Sequence, residues 1–189
     1  MDIDWVLEDL SNAAMRRDRG RCEEILHESR GVEGFLKECT HILIRMLRHC
    51  DRLDCIGCVK LFLSYGVPIE SEEDPGAALH YAIQLGYSNQ FMYLLLDDVQ
   101  NIDVNQTYYL GCAPIQTAIE GMCNRPRSEA KDQIVALLVR GADVHTIDRH
   151  GNSLLHELSS GDPWLIELLS RFGVDFNRKG RFGRTPLQS

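Results

Sequence analysis

The stretch LLVRGADVHTIDRHGNSLLHEL, residues 137–158, decides the fold. An apolar run stops at Gly141, a polar turn follows, a second glycine stands at 151, and a new apolar segment begins with His156 beside Glu157. Taken alone, that His-Glu pair looks like the start of a catalytic site. The rest of the chain repeats it. GNSLLHEL (151–158) falls into one frame with PGAALHYAI (75–83), GCAPIQTAI (111–119) and GRTPLQS (183–189): a glycine or turn residue, a small or hydroxyl residue, Leu or Ile, then His or Gln. The apolar slot holds Leu79, Ile115, Leu155 and Leu187. Leu10 and Leu47 continue it toward the N-terminus, at intervals of 37, 32, 36, 40 and 32 residues. Five units and the start of a sixth result, and a period of this length marks a repeat architecture.

The second half of each unit agrees. CVKLFLSYGVPI, QFMYLLLDDV, IVALLVRGADV and WLIELLSRFGVDF are short apolar runs closed by glycine or another turn signal, with EEILHESRG a weaker first copy. Each unit therefore reads as a helical hairpin. Thr185-Pro186 marks the start of a first helix, since a hydroxyl can cap free N–H groups and proline fits the first helical position. Gly66, Gly141 and Gly173 mark the ends of second helices, where a left-handed residue terminates the backbone ladder. FLKECTHILIRMLRHCD (35–51) reads as one extended helix.

GRTPLQS, LLVRGADVHTIDRHGNSLLHEL and CVKLFLSYGVPI together resemble ankyrin repeats, whose pattern of roughly 33 residues has a Thr-Pro-Leu-His segment, an apolar helix and a Gly-Ala-Asp-Val turn. The resemblance runs along the whole chain and is strongest over 76–189. Before residue 55 it degenerates, with Arg45, Met46 and Arg48 where the family has Thr, Pro and His. It implies an all-α solenoid, elongated and curved, with repeats near 3–34, 35–71, 72–106, 107–148 and 149–178 and a partial unit at 179–189, all in a single domain. The last segment, Thr-Pro-Leu-Gln-Ser, stops before the alanine slot of its repeat, which reads as a truncation inside a helix.

The resemblance also recasts His156. In the family this histidine is structural, bridging backbone groups through its ring nitrogens, and His80 shares the slot. Gln116 and Gln188 replace it, and a catalytic imidazole would not alternate with an amide. No phosphate-binding glycine loop, G-x-S-x-G elbow or H-E-x-x-H pair occurs, so no catalytic residue is assigned. An enzyme on this scaffold would have to gather His80, Tyr81, Tyr108, Tyr109, Asp148 and His156 around one groove.

Seven cysteines without a secretory leader read as reduced thiols in the cytoplasm or nucleus. HCDRLDCIGC (49–58) is the most metal-like segment, but it has one C-x-x-C pair where structural zinc needs two clusters. Cys50 stands in the small-residue slot of Ala13, Ala82 and Ala118. Neither metal nor cofactor is expected. No apolar run approaches the roughly twenty residues that cross a bilayer, and a net charge of −8 argues against nucleic acid. Residues 171–184 (RFGVDFNRKGRFGR) depart from that balance with five basic residues and one acid.

The resemblance implies a protein-interaction module, acting as scaffold, adaptor, inhibitor or the targeting arm of a longer protein. Its expected face is concave, built from first helices and the finger-like turns between repeats. Tyr108, Tyr109, Arg149, His150, Arg178, Lys179 and Arg181 sit in those turns and are residue types that dominate interface energetics. They suit a protein or peptide with an apolar anchor and an acidic segment. ESEED (70–74) reads as a solvated turn, and CNRPRSEAKD (123–132) as an insertion lengthening one turn.

Overall fold

A computed structural model describes residues 3–49, 55–70, 75–85, 89–98, 102–123, 127–158 and 162–189. Among them every regular element is helical, and β-pairing is limited to two isolated bridges. The chain divides into two compact units, 1–100 and 101–189. The first holds α1 (Ile3–Met15), α2 (Arg19–Ser29), α3 (Phe35–Arg48), α4 (Cys55–Ser64), α5 (Ala77–Leu85) and α6 (Asn89–Asp98). The second holds α7 (Pro114–Glu120), α8 (Arg127–Val139) and α9 (Pro163–Arg171), with single 3-10 turns at 121–123, 154–156 and 186–188 and tight turns through a left-handed residue at 109–111 and 181–183.

Hairpin pairing follows chain order. In the first unit α1 packs on α2, α3 on α4 and α5 on α6, while α3 also meets α1 and α5. In the second, α7 packs on α8. The apolar slot is what these contacts bury: Leu10, Leu47, Leu79, Ile115 and Leu155 are all in the core, whereas Leu187 is 95 % exposed. Ala13, Ala82 and Ala118 are buried one turn on, where only a small side chain lets helices approach. Cys22, Cys39 and Cys58 are buried as small apolar residues, and burial pushes the Cys22 and Cys39 thiols up to about 12.

Helix ends have a local cause. At Gly141 (φ 89) the Ala142 N–H donates to Leu137 O at 3.0 Å and Gly141 N–H to Leu138 O at 3.0 Å. Gly66 (φ 82) and Gly173 (φ 80) close α4 and α9 through the same pair of bonds, from Val67 to Phe62 and from Val174 to Leu169. This double bond across a left-handed residue satisfies carbonyls that would otherwise be orphaned. Arg17 closes α1 in the same way at φ 63, without the glycine that makes the conformation inexpensive.

Two expectations need correction. The first helix of the fifth repeat is a single 3-10 turn, Leu154–His156, and not a full helix. Its continuation Ser159-Ser160-Gly161 contains poor helix formers, and Asp162-Pro163 starts α9 instead, with the Asp162 carboxylate accepting the Trp164 N–H at 3.0 Å. The insertion at 123–132 is not simply a longer turn either. From Arg127 onward it is helix, adding a turn to the front of α8, and Lys131 Nζ lies 4.3 Å above the Trp164 ring of α9. Cys50, residues 71–74 of the acidic stretch and the Cys55 side chain lie outside the described residues. No helix among the described residues is long and apolar enough to cross a membrane.

Candidate partner-binding edge

Three fingers of the second unit share one backbone plan. In each, a residue donates its N–H to the carbonyl four positions on: Tyr108 to Cys112 at 3.0 Å, Asp148 to Asn152 at 2.9 Å and Gly180 to Arg184 at 2.8 Å. In each, the glycine three positions on donates back to the first residue's carbonyl: Gly111, Gly151 and Gly183, at φ 75, 82 and 69. The fingers differ at the residue just before that glycine. His150 has a negative φ, but Leu110 and Phe182 are left-handed at φ 66 and 65.

The difference has a cause in the first residue. Asp148 accepts the N–H groups of His150 at 2.7 Å and Asn152 at 2.8 Å, and Asn152 Nδ2 at 3.1 Å, which locks the middle turn in the conformation with negative φ. Partial burial works against its ionisation, but those bonds outweigh it and hold the carboxyl below its usual range. Tyr108 and Gly180 have no carboxylate to offer. Gly180 cannot gain one, since a Cβ there would sit 2.7 Å from both Asn152 Oδ1 and His156 Nε2.

Side chains tie the fingers into a row. Asn105, at the base of the first, donates to Gly141 O at 3.1 Å and accepts the Asp143 N–H at 2.8 Å. Buried Gln116 accepts the Ala113 N–H at 2.8 Å and the Thr146 hydroxyl at 3.4 Å, and donates to Glu157 Oε1 at 3.3 Å. Asn152 Oδ1 accepts the Arg181 N–H at 3.0 Å. His156 completes the chain. Its Nδ1 accepts the Ser153 N–H at 3.2 Å, which leaves the proton on Nε2 to donate to Arg184 O at 3.0 Å. Gln188 accepts the Thr185 N–H at 3.1 Å, so Gln116, His156 and Gln188 do one job three residues after a helix start, and this interchangeability is physical. His80 is buried in α5 of the first unit.

Of the remaining turn residues, Arg149, His150, Lys179 and Arg181 are exposed, while Tyr108 and Arg178 are half-buried. Arg149 Nε donates to His150 Nε2 at 3.1 Å, and the Arg181 guanidinium stands 4.9 Å from the Phe182 ring centre. Tyr109 occupies the second position of the first turn, and its side chain lies outside the described residues. Leu110 and Phe182, at 46 % and 82 % exposure, are the tip residues that sequence reasoning passed over. Their signal was in the frame: an apolar residue immediately before the turn glycine, where the middle finger has His150.

Charge is unevenly shared. Residues 1–100 hold ten basic and eighteen acidic residues, residues 101–189 ten of each, and half of the latter's bases fall in 171–184. Behind the fingers, burial and then the Glu120 carboxylate raise Glu157 to about 7 against the pull of its Gln116 bond. Its second oxygen is buried without a partner.

No protein-family model matches the chain. Over 68 residues it is 38 % identical to a putative ankyrin repeat protein of Pyrobaculum aerophilum, a match covering 36 % of this chain and 25 % of that protein. Over 38 residues it is 58 % identical to the ADP-ribosylation factor GTPase-activating protein AGD2 of Arabidopsis thaliana, covering 20 % of this chain and 5 % of that protein. The chain thus spans a quarter of one relative's length and a twentieth of the other's. Helical hairpins at this period give the chain a fold consistent with an ankyrin-like helical repeat, and the partial similarity agrees with it.

Proposed function

We propose that the chain is a non-enzymatic protein-interaction module of the cytoplasm or nucleus, receiving a protein or peptide along the finger edge of residues 101–189. The observation that carries this reading is the row itself: three turns joined by hydrogen bonds at their bases, with tips left to solvent. A prearranged row lowers the ordering cost of binding. Two of the side chains an enzyme would need are committed elsewhere, since both His156 nitrogens and the Asp148 carboxylate are occupied by backbone groups. The Arabidopsis relative is named for an enzymatic activity, but it is matched over a twentieth of its length, and its activity is not carried over.

The test is affinity capture from source-cell extract, followed by binding measurements on variants. Tyr108→Ala is expected to weaken binding with little change in salt dependence. Charge reversal at Arg178 and Lys179 is expected to slow association and flatten its dependence on ionic strength. A control at Ser128 in the insertion is expected to bind normally, and loss confined to that control would move the site away from the fingers.

A further inference from the structure

We infer that Leu110 and Phe182 are twin anchor points for one extended acidic segment that places two apolar side chains about six residues apart. The inference rests on the finger-edge reading and deepens it. Both residues are large, apolar and exposed, and both hold a backbone conformation that L side chains rarely adopt. A position selected only for stability would carry Gly or Asn there. Two large hydrophobes at the same slot of two fingers, each kept in a strained backbone conformation, point to a surface presented to something else.

Spacing follows from the repeat. The two tips lie two units apart, with His150 between them. Stacked helices lie about 8–10 Å apart, so the tips are separated by roughly 20 Å, which an extended chain rising about 3.3 Å per residue covers in about six residues. Charge sets the remainder. Arg149 flanks the middle tip, and Arg178, Lys179, Arg181 and Arg184 surround the last, so acidic residues belong near the anchor that meets Phe182. The guanidinium of Arg181 already stands beside that ring, ready to pair with a carboxylate next to the apolar contact.

The experiment uses the full chain and fluorescein-labelled twelve-residue peptide pools of Asp, Glu, Ser and Gly. One pool has leucines fixed at positions 3 and 9, and another has them at positions 3 and 5. Fluorescence anisotropy is expected to show the six-residue register binding at least tenfold more tightly. Leu110→Asn and Phe182→Asn are each expected to weaken it fivefold or more without lowering the melting temperature, and together to erase the register preference. Equal binding of both pools, or binding of neither, overturns the inference, as does binding to phosphatidylserine vesicles in place of peptide. If the Asn variants bind normally while the Arg178→Glu, Lys179→Glu double variant does not, the anchors are wrong and the finger edge stands. Normal binding by all of these variants overturns both.

Discussion

The middle finger and the last finger of this protein are nearly superimposable in hydrogen bonding and opposite in what they present. Asp148 folds its carboxylate back onto two N–H groups, His150 adopts an ordinary φ, and the tip is polar. Gly180 is pressed against Asn152 and His156, no side chain can fold back, and Phe182 is turned outward at positive φ. One position at the base of a turn therefore sets the conformation of its tip. The first finger, starting at Tyr108, follows the last.

The largest expected effect comes from giving the last finger the one atom it cannot hold. A Cβ in Gly180→Ala would displace Asn152 Oδ1 and His156 Nε2, which bond Arg181 N and Arg184 O. Overpacking of about 1–3 kcal/mol and two weakened hydrogen bonds of about 1 kcal/mol each add to roughly 3 kcal/mol or more. Chemical denaturation measures it. Gly151→Ala has open space around its Cβ and carries only the strain of φ 82, about 1 kcal/mol. Equal losses in the two variants would remove the steric account of the last finger.

Next is the carboxylate of the middle finger. Asp148→Ala removes the acceptor for two backbone N–H groups and is expected to cost about 1–3 kcal/mol in urea melts. Because the folded state lowers this carboxyl's pKa, its contribution is present above the unfolded value near 4 and fades as pH falls through the lower folded value. The penalty of Asp148→Ala should therefore shrink in strong acid. Asp148→Asn retains an acceptor oxygen and should lose less.

These comparisons also show what was legible in the sequence. The period, the hairpins, the glycine stops and the Gln/His slot are visible because each is set by contacts within a few residues or by one apolar face, and both repeat. Leu154–His156 as a mere 3-10 turn was not visible, because its frame matches that of α7 and only the following Ser-Ser-Gly-Asp-Pro withholds the helix. Leu110 and Phe182 at positive φ were hidden for another reason. Their conformation depends on a residue two positions earlier lacking a carboxylate, and at Gly180 on a neighbouring repeat occupying the space. The role of His156 as a bridge to Arg184 O joins residues 28 apart and needs the fold to be seen.

A smaller effect is expected behind the fingers. Burial first, then Glu120, raises Glu157 from 4.5 to about 7 in the folded state. The folded protein thus holds a proton that the unfolded chain releases, so stability is full below about 4.5 and declines as pH rises through 7. Glu157→Gln should flatten this decline and leave the protein more stable than the parent at pH 8 in thermal melts. A steeper decline in the variant would show that the carboxylate is stabilising as an anion.

The smallest effect is a gain. A non-glycine residue at positive φ carries roughly 1 kcal/mol of strain, which Asn tolerates better than Leu or Phe. At 82 % exposure Phe182 has little burial to lose, whereas Leu110 at 46 % gives up the burial of about half of its side chain. Phe182→Asn should stabilise the chain by about 0.5–1 kcal/mol, and Leu110→Asn should gain less. Glycine relieves the strain more fully but also frees the unfolded chain, a loss of about 0.4–1 kcal/mol, so the Gly variants should gain less than the Asn variants. His150→Asn is the control. Its φ is negative and its turn is already held by Asp148, so no gain is expected beyond the ±0.5 kcal/mol typical of surface changes. If all three Asn variants shifted stability equally, conformation at the tips would not differ in solution, and the contrast between the polar and the apolar fingers would reduce to side-chain identity alone.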